Sequence, residues 1–327
     1  MKRSRRLTFF AGILCLAIAP AYAQIEFSLK AIGGYSFIDA GDINDAITGF
    51  QQQYGDYGRL DGTDARFSLD EIRGVMDFRA ELLMRWTPHL AVGFGIEALS
   101  RSSRGSGVIN SDVVTEYWWG TDNETMAYES ETSFQLSSVP IMVNLYYYFP
   151  VGRRASFYLQ AGMGYYCARI KYTDDYISDT SIRGESWYYL NDLYEFSYTG
   201  SIQETSKAYA FGFQGGLGLD FPLSPSLCLL AELNYRGVRF QNWKGDYSDR
   251  WEWEEFYQEE GLEAQTASGS EEEMESGSLW FYSYEDAVTG GRYSGLGVFA
   301  DKPASDSRRA VINLNGFSIR LGIRIRI

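Results

Sequence analysis

The closing stretch of the chain, residues 316–327, reads GFSIRLGIRIRI. Phe317, Ile319, Leu321, Ile323, Ile325 and Ile327 alternate with Ser318, Arg320, Gly322, Arg324 and Arg326. A period of two is the signature of a β-strand, whose successive side chains point to opposite faces. One face here is wholly apolar and the other carries three arginines. The fold therefore turns on which medium each face meets.

Working back from this strand, seven more segments share the alternation. Ile25, Phe27, Leu29, Ala31, Tyr35 and Phe37 stand against Glu26, Ser28, Lys30, Gly34 and Ser36. Residues 72–86 set Met76, Phe78, Ala80, Leu82, Met84 and Trp86 against Arg73, Asp77, Arg79, Glu81 and Arg85. Similar segments run over 90–100, 134–149, 156–170, 207–221 and 226–240. Short links at Thr87-Pro88-His89, 150–155 and 222–225 alternate with long ones at about 38–71, 101–132, 171–206 and 241–310. Short turns on one side and long loops on the other are what a barrel in a membrane requires, because its two sides are unequal. The expected fold is all-β: an eight-stranded antiparallel transmembrane β-barrel with long extracellular loops, formed by residues 24–327 as one domain.

A soluble eight-stranded barrel would turn the apolar face inward. Two observations oppose this. The polar faces are rich in Gly and Ser and hold few charges each, which suits a narrow interior. Aromatic residues gather near the ends of the apolar face, with Trp86, Phe149, Phe157 and Phe221 at the short turns and Tyr35, Phe37, Tyr209, Phe211 and Tyr235 at the long loops. Those are the expected interfacial girdles. An unpaired peptide group in hydrocarbon costs several kcal/mol, so a sheet that crosses a bilayer must close on itself.

The first residues are organised for export. Lys2, Arg3, Arg5 and Arg6 precede an apolar run from Leu7 to Ala19 and the small-residue site Ala21-Tyr22-Ala23, giving an expected signal peptide over 1–23. Gly12-Ile13-Leu14 before Cys15 lacks the small pair that lipid attachment needs. Loss of the signal removes four basic residues and no acid, taking the formal net charge from -14 to -18. So acidic a chain is not suited to nucleic acid. No later segment offers the ~18 consecutive apolar residues of a membrane helix. Cys167 and Cys228 fall near opposite ends of the expected barrel, too far apart to pair.

On these residues the sequence resembles the small outer-membrane β-barrel families, the OmpA transmembrane domain and OmpX among them. The resemblance rests on GFSIRLGIRIRI, SVPIMVNLYYYFP, FYLQAGMGYY and FGFQGGLGLDFPLSPSLCLLAELNYR, in that spacing over essentially the whole mature chain. It implies a place in the bacterial outer membrane. The sequence departs from the pattern in ending on Ile327 rather than an aromatic residue, and no peptidoglycan-binding domain is expected after the barrel.

Eight strands enclose a space that side chains can fill. The inward positions Lys30, Arg79, Glu81, Glu97, Glu232 and Arg320 form the candidate interior charge cluster, with Arg85 and Gln160 beside them. A turn centred on Pro88 sets Arg79 opposite Glu97, so a cross-strand ion pair is expected there. Glu232 and Arg320 are a looser second pair. A filled lumen points to a structural or surface-interaction barrel acting through its loops, with adhesion or ligand binding as the activity. The alternative is a narrow channel for small solutes.

In the first long link, GDINDAITGFQQQY lets Asp42 cap a short helix with Ile43, Ile47, Phe50 and Tyr54 on one face. VVTEYWWG, ESWYYLNDLYEFSYTG and SLWFYSYEDA are strand-like, so strands are expected to rise above the bilayer. WEWEEFYQEEGLE and EEEMES lack ordered ligand spacing and read as solvated acidic surface, so no metal or other cofactor is expected. The expected partners are outer-membrane lipid, lipopolysaccharide and an extracellular protein at the loops. Barrel hydrolases and acyltransferases generally need a histidine at the outer rim; His89, the one histidine, falls in a short turn, and no enzyme is expected.

Overall fold

The computed structural model describes residues 25–117, 120–151, 155–186, 190–259 and 262–327; the expected signal peptide at 1–23 lies outside the described residues. The elements are β1 (Glu26–Ile38), α1 (Asp42–Tyr57), β2 (Thr63–Ser68), β3 (Gly74–Arg85), β4 (Leu90–Tyr117), β5 (Gly120–Val151), β6 (Ala155–Ser186) and β7 (Leu190–Pro222). There follow β8 (Leu227–Gly237), β9 (Arg239–Phe240), β10 (Lys244–Gln258), β11 (Gln265–Glu285), β12 (Arg292–Phe299), β13 (Arg308–Arg309), β14 (Ile312–Asn313) and β15 (Gly316–Arg326). The expectation of eight strands is thus corrected: the described residues form fifteen, and all their pairings are antiparallel. The surplus lies in the long links, where strand-like stretches were expected and further residues read as loop also carry ladders.

The pairings form two tiers. In the lower one, β1 pairs with β3, β3 with β4, and so on through β5, β6, β7 and β8 to β15, which pairs back onto β1. That ring leaves no edge. In the upper tier β2, β4, β5, β6, β7, β10, β11 and β12 lie side by side as an open sheet. α1 packs against both of its edge strands, β2 and β12, and so occupies the gap. The long strands β4 to β7, of 28, 32, 32 and 33 residues, belong to both tiers. A bilayer crossing takes about 9–11 residues of strand, so roughly two-thirds of each lies beyond any membrane.

Burial shows which face meets which medium. Phe78 is 61% exposed, Leu145 50% and Ile323 40%, whereas their neighbours Arg79 and Arg324 are 2% and 3% exposed. The lower tier is inside out relative to a soluble protein. Higher up the phase inverts. On β5 the exposed apolar residues Val139, Ile141, Val143 and Leu145 give way to Phe134 and Leu136, which are buried, with Gln135 outside. On β6, exposed Leu159, Met163 and Tyr165 give way to buried Tyr166, Ala168 and Ile170. The apolar parity switches because the outer medium changes from apolar to aqueous.

Ile327, Phe27 and the turns at 86–90 and 223–227 share one end of the ring. Ile327 N–H donates to the Phe27 carbonyl at 3.0 Å, and Arg326 N–H to the Ser226 carbonyl at 2.9 Å. Cys167 and Cys228 are free thiols. α1 buries Ile43, Ile47 and Tyr54, with Phe50 half-buried on the same face. Its cap differs from the expectation: Gly41, at φ 60°, is the N-cap, a left-handed conformation that favours glycine. Asp42 is instead the first helical residue. Its carboxylate accepts from Nη1 and Nη2 of Arg308 at 2.6 and 2.7 Å and from the Val311 N–H at 2.7 Å.

Candidate functional site

Polar residues of the lower tier project inward at every second position, where burial favours those that find a partner within the ring. Arg79 sits opposite Glu97 in the β3–β4 register and bonds it through Nε at 3.0 Å and Nη2 at 2.9 Å. Glu97 also takes Arg320 Nη2 at 3.0 Å and Arg236, so three guanidinium groups converge on one carboxylate. Arg320 Nε reaches Asp77 at 2.9 Å, and Asp77 accepts from Ser36.

A second centre lies beside the first. Lys30 pairs with Glu232, lies 3.6 Å from Glu81, and donates to the Tyr146 hydroxyl at 3.1 Å. Its ammonium stands 4.8 Å from the centre of the Tyr146 ring, within cation–π range. Glu81 accepts from Asn144 at 2.7 Å and Tyr146 at 2.6 Å; Glu232 accepts from Tyr158 at 2.6 Å. Gln214 joins the centres, accepting from Arg79 at 2.6 Å and donating to Asn144 at 2.5 Å. Toward the short turns, Arg324 meets Asp220 at 2.5 Å and Arg85 lies 4.1 Å over the Tyr148 ring.

All six residues of the candidate cluster are thus buried inside the ring and brought together, but not all in the pairs expected. Arg320 does sit opposite Glu232 in the β8–β15 register, yet their charges go elsewhere, Arg320 to Asp77 and Glu97 and Glu232 to Lys30. In a lumen this narrow a long side chain reaches across as readily as along the ladder. Gln160 donates to Asn234 at 2.8 Å. The sequence reading passed over Asp77, Asp220, Arg236 and Arg324 as cluster members, although each has the polar parity of its segment. Among the described residues the lumen buries five cations (Lys30, Arg79, Arg236, Arg320, Arg324) and five carboxylates (Asp77, Glu81, Glu97, Asp220, Glu232), so its buried charge cancels.

Above the charges the interior turns apolar. Trp243, Phe240 and Tyr166 are fully buried, with Phe240 and Trp243 ring centres 5.6 Å apart. They pack with Leu99 and Leu136 from the strands, Val238 between β8 and β9, and Ile43 and Ile47 from α1. An ionic layer thus lies beneath an apolar one. In the upper tier, a cavity of about 880 Å³ lies among β4 to β7, β10 and β11, one of about 720 Å³ among β4 to β7 and β10, and one of about 310 Å³ against α1. His89 is at the short-turn end, its Nδ1 2.9 Å from the Tyr148 carbonyl.

A family model described as "Outer membrane protein beta-barrel domain" matches residues 8–266. No curated protein sequence matches the chain. Among solved structures, the chain is similar to a major outer membrane protein from Thermus thermophilus, at 12% identity and TM-score 0.34, covering 93% of this chain and 100% of that one. It is similar to the outer membrane protein OprG from Pseudomonas aeruginosa, at 10% identity and TM-score 0.32, covering 93% and 97%. A third is the outer membrane protease OmpT from Escherichia coli, at 8% identity and TM-score 0.23, covering 94% and 98%. TM-scores this low establish no residue-level equivalence.

Proposed function

The chain belongs to the outer membrane protein β-barrel domain family, and from that membership we propose that it is a sealed barrel of the bacterial outer membrane whose activity is surface interaction by its upper tier. We read the ring of eight strands as the part that crosses the bilayer. From Phe221 to Tyr209 the outward apolar band of β7 spans thirteen residues. At about 3.3 Å per residue and a tilt of about 40° that rises about 30 Å, the thickness of a hydrocarbon core. The short turns and chain ends then face the periplasm, and the upper tier, with α1 in its gap, stands outside the cell.

The observation that supports this reading is the packing of the lumen, where five buried cations meet five buried carboxylates and Trp243, Phe240 and Tyr166 are fully buried above them. This favours surface binding over a narrow channel, and His89 at the short-turn end favours a role without catalysis. In planar bilayers the pure protein is expected to give no unitary conductance steps. Reproducible steps would replace this reading with the channel.

Lipopolysaccharide is the lipid partner this reading favours. Arg169, Lys207 and Lys244 are consecutive cross-strand neighbours on β6, β7 and β10, all exposed. They lie directly above the outward Tyr165 and Tyr209, whose rings stack at 6.0 Å. In so acidic a chain this basic row is placed to meet lipid phosphates at the outer leaflet. Exchange of all three for glutamine is expected to lower the lipopolysaccharide that copurifies with the protein; unchanged lipid content would count against this partner.

A further inference from the structure

The cavity of about 310 Å³ lies between α1, β2 and the inner faces of β5 and β6. Six aromatic rings wall it: Phe50, Tyr54 and Tyr57 from α1, Phe67 from β2, Tyr128 from β5 and Tyr172 from β6. Tyr54 and Phe67 stack at 4.8 Å, and Phe134 backs Tyr172 at 4.7 Å, so the walls are held in place before any ligand arrives. Asp174 is the single charged residue in the lining, which contains no lysine, arginine or histidine. Its carboxylate accepts from the Thr132 hydroxyl at 2.7 Å. Burial pushes the Asp174 carboxyl up to about 6, against the pull of the Thr132 and Tyr172 hydroxyls and with the neighbouring Asp175 and Asp249 adding to the rise, and the cavity wall offers it no countercharge.

We propose that this cavity binds a small organic cation, a quaternary or methylated ammonium group set over the aromatic rings and facing the Asp174 carboxylate. Aromatic faces carry the negative end of the ring quadrupole and attract cations, most strongly where water is excluded. An anion would meet Asp174 with nothing to offset it. A neutral apolar ligand would strip water from the carboxylate and return no partner. A bare metal ion needs several oxygen ligands, and one carboxylate among rings does not supply them. The volume is at the low end for ligand pockets, fitting a head group rather than a long chain. The assignment deepens the surface-binding reading and rests on it in placing this cavity outside the membrane.

The test uses the full mature chain in maltoside micelles, because phosphocholine detergents carry the cation in question. Binding of choline chloride is compared with that of 3,3-dimethylbutan-1-ol, which has the same shape without the charge. Saturable choline binding, at least roughly tenfold tighter than the alcohol and weakened at least roughly tenfold by Asp174→Asn, is expected. Equal affinities for the two compounds, absence of choline binding, or unchanged binding in the variant would each overturn the proposal. The charge-free compound is tested on the unaltered protein, so the outcome does not hang on whether the variant folds. Conductance steps in bilayers would defeat the surface-binding reading while leaving this result standing.

Discussion

At the residue scale the account rests on Glu97, where Arg79, Arg236 and Arg320 converge. Removing one partner from a buried ionic group leaves uncompensated charge and costs about 3–5 kcal/mol. Glu97→Gln is therefore expected to lower stability by about that much in denaturant titrations of the vesicle-inserted protein. A change below ~1 kcal/mol, the worth of an exposed pair, would mean that water reaches the cluster. Glu204, in the upper tier beside Gly297 and Val298, makes a pH prediction. Burial pushes its carboxyl up to about 8, against a Val298 N–H that donates to it. Below the ordinary value near 4.5 folded and unfolded forms are both protonated and nothing is lost; as pH rises from there to about 8 the unfolded form releases its proton first, and stability falls. Glu204→Gln is expected to remove that slope, slowing amide exchange of β7 and β12 at pH 9 by roughly tenfold or more while changing little at pH 4. Equal effects at both pH values would show that Glu204 is solvated. The Arg79–Glu97 pair was legible because a two-residue period and one short turn fix the register. The partners of Arg320 were not, because contacts across the lumen depend on side-chain reach rather than on sequence spacing.

At the scale of elements, the eight segments of the ring were legible because lipid on one side and a packed lumen on the other force a single parity along each strand. Their upper boundaries were not. β5 begins at Gly120 rather than near residue 134 because above Ser138 water lies outside, and the apolar parity passes from Val139 and Ile141 to Leu136 and Phe134. A reading that demands one continuous phase stops at such a switch. β10 and the first half of β11 were hidden for a related reason, whereas SLWFYSYE in the second half of β11 read as a strand. Much of their length is half-exposed or exposed on both faces, so WEWEEFYQ and SEEEMES carry no amphipathic signal. The α1 face was readable from Ile43, Ile47 and Tyr54, whereas Tyr128, Tyr172 and Asp174 of the aromatic cavity lay in stretches read mostly as loop. Asp42 links helix to loop, and Asp42→Ala is expected to release the segment around Arg308 and Val311. Loss of charge-assisted hydrogen bonds worth about 1.5–3 kcal/mol should speed exchange of a peptide covering 308–314 by roughly ten- to hundredfold. No change there would show that β13 and β14 are held by packing alone.

For the whole molecule, the arrangement is one set of four long strands serving two environments. Below, β1, β3, β8 and β15 complete a ring around an interior of paired charges, with apolar side chains outward. Above, β2, β10, β11 and β12 take their places around α1 and an apolar core, with polar side chains outward. The most direct test is a nitroxide scan of the protein in bilayers, with Cys167 and Cys228 first replaced and single cysteines then placed at Phe78, Leu145, Ile323 and, in the upper tier, Val114 and Gln135. Labels at the first three sites are predicted to relax faster with dissolved oxygen than with a water-soluble nickel complex, and labels at the last two to show the reverse. Preferential contact with the nickel complex at Phe78, Leu145 and Ile323 would contradict the account.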